Sequence, residues 1–489
     1  MKLKDLIHGL DLVETTGDTD IEIENIAYDS RKVRVGSLFV CIEGFISDGH
    51  EYISQAIASG AAAIMVAKDS VFTGAVCIKV PDTRIGLAHV SCNFFDNPSR
   101  KLHLVGITGT KGKTTATFML RSILAAAGRK TGLIGTITNM IGDEIVYASR
   151  TTPESYELQS LLDDCVRSKI DSCVMEVSSQ GLSLNRVYGC EYEIGVYTNL
   201  YNDHIGPGEH SSIEEYWQAK SLLFNMSKNA VINIDADYSL QMIDCANRNP
   251  GQKIYTFGLF DGAAIQGLDL ETIVSKERIG TRFKIKSPWY NDSIFVGMPG
   301  RFNVYNALCA IACAGILNVP YKAVAQGLSS ITVKGRVQPV KTNRDFQIIV
   351  DYAHNAASLE SLLVTLREYV PGKLICVFGC GGDRAKSRRY EMGEVSGNLA
   401  DFSVITSDNP RTEDPELILT DIETGVKKTT GDYIKIQDRT LAIHYAITHA
   451  KAGDMVIIAG KGHENYQIFA DKTIHYDDVE VANKILDEM

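Results

Sequence analysis

The chain has 489 residues, of which 45% are hydrophobic and 22% charged, and its formal net charge is -11. That length exceeds what one hydrophobic core supports, so several domains are expected. The negative balance speaks against a general nucleic-acid or anionic-membrane binder, and no stretch stays apolar for the roughly 18 residues a membrane span needs. A cytoplasmic enzyme is expected, without membrane insertion and without a nucleic-acid partner. The 11 cysteines are scattered, which reads as buried reduced thiols rather than disulfides or metal ligands.

Up to residue 98, short β-like runs (21–26, 37–42, 62–66 and 76–80) alternate with helical patches, suggesting a small α/β module. The next apolar stretch, carrying Leu102, Val105 and Ile107, leads into Gly109-Thr110-Lys111-Gly112-Lys113-Thr114-Thr115 and then a helical pattern through 118–124. Strand, glycine loop and helix in that order are the context a phosphate-binding loop needs. Glycines let backbone N–H groups converge on phosphate oxygens, Lys113 supplies a point charge, and the Thr114 hydroxyl suits Mg2+. The loop is a short form, because the first glycine of the longer pattern would fall at Ile107.

Predicted strands at 172–177, 194–200 and 230–234 continue an α/β pattern, so a mostly parallel sheet is expected. A β-rich insert follows at 252–296, then a helix over 304–317. Glu176, at the end of its strand, stands where an acid meets the metal of a phosphate-loop enzyme, although an acid capping a strand end has the same signature. His204 is placed to reach a second metal or to serve as a structural hydrogen-bonding group. Lys220 lies among aromatic and apolar residues, and a lysine that snorkels to the surface is the ordinary reading.

From Lys334 the pattern restarts with strands at 346–350, 374–378, 403–405 and 455–459 and helices at 359–369, after 386 and at 415–428, a Rossmann-like unit. Ligands gather at the carboxyl ends of such strands. Asp351 with His354, the loop 379–384, the cluster Arg384, Lys386, Arg388 and Arg389, the run Ser407-Asp408-Asn409-Pro410-Arg411, and Gly460 through Glu464 all fall there. The basic cluster reads either as a carboxylate or phosphate site or as a solvated helix face.

In chain order, G-T-K-G-K-T-T, M-E-V-S-S, T-N-L-Y-N-D-H, Y-W-Q-A-K-S-L-L-F, G-R-F-N-V-Y-N-A, K-G-R-V-Q, D-Y-A-H-N, G-G-D-R and S-D-N-P-R-T-E-D resemble the Mur ligase family, MurE type. The resemblance implies three α/β domains: a small N-terminal UDP-sugar domain (1–98), a central parallel-sheet domain of the phosphate-loop ATPase kind (99–333) and a C-terminal Rossmann-like amino-acid domain (334–489). It also implies an ATP-dependent amide ligation of meso-diaminopimelate to UDP-N-acetylmuramoyl-L-alanyl-D-glutamate (UDP-MurNAc-L-Ala-D-Glu) through an acyl phosphate, in peptidoglycan precursor synthesis. By the same resemblance, ATP meets residues 109–115 with Asn303, Asn306, Arg336 and Asp351, while Mg2+ meets Thr114, Glu176, His204 and a Lys220 carbamylated by CO2. Lys113, Lys220 and His204 would serve catalysis.

The UDP-substrate would meet Ser30, the 44–48 loop, Thr151, Thr152, Ser178 and Arg186. Diaminopimelate would meet Arg389, Asp408, Asn409, Pro410, Arg411, Gly460 and Glu464, with Arg389 and Arg411 clamping the distal carboxylate that lysine lacks. Two departures stand out: Leu184 where relatives can present glutamine, and Ala356 where proline is frequent. A monomer is expected.

Overall fold

The computed structural model describes residues 1–44, 47–202, 205–206, 209–275 and 278–489. It divides into two compact units, 1–266 with 308–324 and 267–307 with 325–489.

The first unit carries two sheets. A five-stranded sheet lies within residues 14–79, where Asn25–Ala27, Ser37–Val40, Ala61–Val66 and Val76–Lys79 run parallel and Glu14–Thr16 closes one edge antiparallel. Its apolar positions converge on a core that includes Leu38, Val40, Met65 and Ile78 and is covered by the helix Thr83–Phe94. In the second sheet, His103–Thr108 sits between Ser172–Glu176 and Tyr192–Tyr197, parallel to both. Central strands of this kind are buried on both faces, so they read as unbroken apolar runs. Thr131–Ile134 and the hairpin Asn139–Ile141 with Glu144–Val146 extend one side. Ser227–Asn233 and Lys253–Gly258 extend the other.

The second unit is built on a six-stranded sheet in the order Gln338–Val340, Gln347–Asp351, Met455–Ala459, Leu374–Phe378, Phe402–Ile405 and Tyr433–Lys435, with only the first strand antiparallel. Four loops, beginning at 352, 379, 406 and 460, therefore leave from the carboxyl ends of adjacent parallel strands. The β-rich insert resolves into strands Lys253–Gly258, Ile265–Val274, Ile279–Lys286 and Ser293–Val296, the last two paired antiparallel. The sequence reading did not mark helices Ser155–Arg167, Arg439–His449 and Asp478–Glu488, which bury residues at helical spacing such as Leu158 with Leu162, Ile443 with Ile447, and Ala482 with Ile485. No helix among the described residues is long and apolar enough to cross a membrane.

Candidate active site

The phosphate loop is set by two glycines and by the neighbouring strand. Gly109 (φ 149°) and Gly112 (φ 86°) take backbone conformations that L side chains rarely adopt, and a side chain on Gly109 would collide with the Thr198 hydroxyl. Asn199, at the end of the adjacent strand, grips Lys111 at both ends of its amide: the backbone N–H donates to Oδ1 (2.9 Å) and Nδ2 donates to the carbonyl (3.0 Å). The Thr198 hydroxyl donates to that same carbonyl at 2.9 Å. The helix Lys113–Ala126 then begins with Lys113 folded back, its Nζ donating to the carbonyls of Gly109 (2.8 Å) and Thr110 (3.1 Å).

Thr114 and Glu176 meet. The Thr114 hydroxyl donates to Glu176 Oε2 at 2.8 Å, and Thr136 donates to the same carboxylate from its hydroxyl (3.0 Å) and its backbone N–H (2.8 Å). Glu176 is only 1% exposed, and Gly135 beside it leaves no room for a side chain. Glu176 thus meets the loop threonine and does more than cap its strand.

The surface reading of Lys220 does not hold. On the helix Ile213–Asn225 it faces inward with Tyr216, Leu223 and Phe224 and is 1% exposed. Its Nζ donates to the Gly109 carbonyl at 3.1 Å and stands 4.2 Å from the centre of the Tyr216 ring, whose hydroxyl is 3.1 Å from Thr110 Oγ1. His204 lies outside the described residues, as do Phe45 and Ile46 of the 44–48 loop.

Lys113 and Lys220 share a cavity of about 370 Å³ with Thr151, Thr152, Ser178 and Arg186. The Thr152 hydroxyl donates to the Glu176 carbonyl (3.0 Å) and accepts from the Ser178 N–H (2.9 Å), tying the floor of the cavity to the strand Ser172–Glu176. Arg186 pairs with Glu154 at 2.8 Å, and burial pulls its guanidinium below the ordinary value while Glu154 opposes that pull. Glu154 also meets Arg150 (2.7 Å) and Arg84 (3.8 Å), so one carboxylate is set among three guanidinium groups. The surplus positive charge suits an anionic ligand. Glu154 and Arg84 carried no motif, and only their fold-imposed proximity marks them. Ser30 donates to Gln55 Oε1 (3.3 Å) and does not line this cavity.

In the second unit, Asp351 ends its strand and accepts the backbone N–H groups of Val337 (2.7 Å) and Ala353 (2.8 Å). Burial raises its pKa, an effect that Arg336 opposes. Arg336 stacks on the Tyr352 ring at 4.7 Å, and that ring lies 4.6 Å from both His354 and His463. Asn306 donates to Asn303 Oδ1 at 3.2 Å, and Asn303 donates to the Pro299 carbonyl at 2.8 Å.

At the neighbouring loops, Asn409 Nδ2 donates to Glu464 Oε2 at 2.9 Å. The fully buried Lys461 donates to Asn409 Oδ1 (3.1 Å) and to Glu464 Oε2 (3.3 Å). Asp408 is buried, its Oδ2 without a hydrogen-bond partner among the described residues, and Gly460 leaves that atom room: a Cβ there would stand 2.7 Å from it. Arg411, at φ 54°, donates to the Gly382 carbonyl at 2.7 Å.

Three family models match the chain: the Mur ligase family catalytic domain over residues 22–86, the Mur ligase middle domain over 107–314 and the Mur ligase glutamate ligase domain over 335–462. UDP-N-acetylmuramoyl-L-alanyl-D-glutamate--2,6-diaminopimelate ligase of Caldanaerobacter subterraneus subsp. tengcongensis is 45% identical, with 100% of this chain and 99% of that protein covered. The chain belongs to the Mur ligase family. A Clostridium acetobutylicum protein of the same name, numbered 1, is also 45% identical, with both chains fully covered. A solved diaminopimelate ligase structure superposes with a TM-score of 0.75 at 30% identity, covering 100% of this chain and 99% of that one. The fold is thus the three-domain Mur ligase architecture of α/β bodies.

Within this Mur ligase, one expected clamp residue is otherwise engaged. Arg389 is 1% exposed, and its two amino nitrogens are held by Glu413 (2.7 Å) and Asp421 (2.9 Å). Glu413 in turn accepts the Asp383 N–H, so Arg389 braces the 379–384 loop from behind. Arg384, on that same loop, is exposed. Sequence alone could not rank two arginines five positions apart; burial does.

Proposed function

We propose that this Mur ligase joins meso-diaminopimelate to UDP-MurNAc-L-Ala-D-Glu with cleavage of ATP to ADP and phosphate, a cytoplasmic step of peptidoglycan precursor synthesis. The observation that carries the reading is the shared cavity, in which the loop lysine Lys113 faces Thr152, Ser178 and Arg186 across about 370 Å³. A carboxylate held by Arg186 and a terminal phosphate held by Lys113 would meet there. The γ-phosphoryl group passes to the D-glutamate side-chain carboxylate, and the amine then displaces phosphate from the acyl phosphate. Positioning and charge neutralisation supply most of such catalysis.

Residues 109–115 hold the triphosphate, while Asn303, Asn306, Arg336 and Asp351 meet the nucleoside; Ser30 and the 44–48 loop take the uridine end. Thr114 and Glu176 offer hydroxyl and carboxylate oxygens, the donor set a hard cation such as Mg2+ prefers. His204 joins them on the strength of its motif. The buried setting of Lys220 favours carbamylation by CO2, which replaces a desolvated ammonium with an oxygen ligand and leaves one N–H to donate to Gly109. Held by these residues, Mg2+ would supply charge neutralisation for phosphoryl transfer.

Arg384 and Arg411 clamp the distal carboxylate of diaminopimelate, Arg389 holding the loop of Arg384 in shape. Asp408, Asn409 and Glu464 receive the ammonium group, with Pro410 and Gly460 shaping the pocket. Domain boundaries near 98 and 333 and a monomeric state complete the reading. The test is ligation with purified protein, ATP, Mg2+, bicarbonate, the UDP-dipeptide and either diaminopimelate or lysine. ADP and a lengthened muropeptide are expected with diaminopimelate; no product with either amino acid would overturn the reading.

A further inference from the structure

Among the residues lining the cavity, His210 has no place in the motif-based site. It is 2% exposed, and its Nε2 has no hydrogen-bond partner among the described residues. Its Nδ1 is 3.3 Å from Glu215 Oε1, and its ring lies 5.0 Å from that of Tyr216. The Gly206 N–H fixes the backbone by donating to the His210 carbonyl at 3.0 Å. Hydrogen bonds from the Ser211 hydroxyl and N–H hold the Glu215 carboxyl down to about 2, so at neutral pH it can only accept. The ring then donates from Nδ1, and the neutral imidazole with its proton there carries its lone pair on Nε2. The cavity wall on which His210 stands also carries Lys113, Lys220, Arg150, Arg186 and Glu209.

We propose that His210 Nε2 is the base that takes the proton from the attacking amine in the amide-forming step. The proposal rests on the ligase reading above. As the amine lone pair forms the N–C bond to the acyl-phosphate carbonyl, the nitrogen becomes positive and its proton passes to Nε2. The C–O bond to phosphate then breaks with its electron pair on the departing phosphate, and the imidazolium returns its proton to solvent. Glu215 keeps the tautomer and steadies the transient cation.

The two half-reactions can be separated in the full-length enzyme. Oxygen-18 positional exchange in ATP, with the UDP-dipeptide and no amino acid, reports acyl phosphate formation; product assay with diaminopimelate reports amide formation. In His210→Gln, exchange should stay within about threefold of wild type while amide formation falls by about 100-fold or more. In His210→Ala, added imidazole should restore amide formation at least about tenfold by returning a diffusible base. Loss of both half-reactions together, undiminished amide formation, or absence of imidazole rescue would overturn the assignment. Wild-type enzyme that exchanges label yet forms no amide with diaminopimelate would instead count against the ligase reading.

Discussion

The phosphate-loop cavity of the first unit and the strand-end loops of the second, the proposed amino-acid loops, both put polar groups at the carboxyl ends of parallel strands, but they are held differently. Around the cavity, short-range backbone geometry does the holding: Gly109 and Gly112 shape the loop, and Asn199 locks it from the next strand. At the amino-acid loops, buried charge pairs do it. Arg389 braces Glu413 and Asp421, and Lys461 braces Asn409 and Glu464. The first region should therefore lose catalysis when a single group is removed, whereas the second should lose shape and stability as readily as affinity.

The largest effect is expected at Lys113. Lys113→Ala should lower kcat by about 10³-fold or more, since one preorganised cation at a transferring phosphoryl group contributes about 3–4 kcal/mol. Steady-state kinetics with an unchanged melting temperature would confirm a purely catalytic loss; a variant retaining a tenth of the activity would break the contrast.

Arg389→Ala should act in the opposite way. Removing a 1%-exposed guanidinium leaves Glu413 and Asp421 without their partner, and stability should fall by about 3 kcal/mol, read as a lower thermal midpoint. Arg384→Ala should leave the midpoint in place and raise KM for diaminopimelate about tenfold or more, with KM for ATP nearly unchanged. Arg411→Ala should raise the same KM, and equal effects of these two variants on both substrates would refute the clamp.

That pair of arginines also shows what a sequence can reveal. The phosphate loop, Glu176 and most parallel strands were legible because their signals are local: an apolar run, a glycine pair, an acid at a strand end. The fates of Arg384 and Arg389 were not, since they depend on Glu413 and Asp421, which the fold brings in from more than twenty positions away. Lys220 was legible only through the ordered motifs, because a lysine on an amphipathic helix does not announce which face is covered. Glu154 and His210 carried no motif; the ion pair with Arg186 singles out the first, and a place on the cavity wall the second.

An effect that is smallest when taken per pH unit sharpens the comparison from the side of pH. His463 packs on Tyr352, where burial, reinforced by Arg336, Lys334 and His354, lowers its pKa from 6.5 to about 4. The unfolded chain thus takes up a proton between pH 6.5 and about 4 that the folded unit does not, so the stabilising share of this residue is present above pH 6.5 and lost as pH falls through that window. The slope has a ceiling of about 1.4 kcal/mol per pH unit. His463→Gln, which keeps the size of the side chain but cannot titrate, should flatten the fall of the denaturation midpoint over this range. The pH dependence should otherwise follow wild type, and an unchanged slope would mean that the histidine gains its proton without the second unit opening.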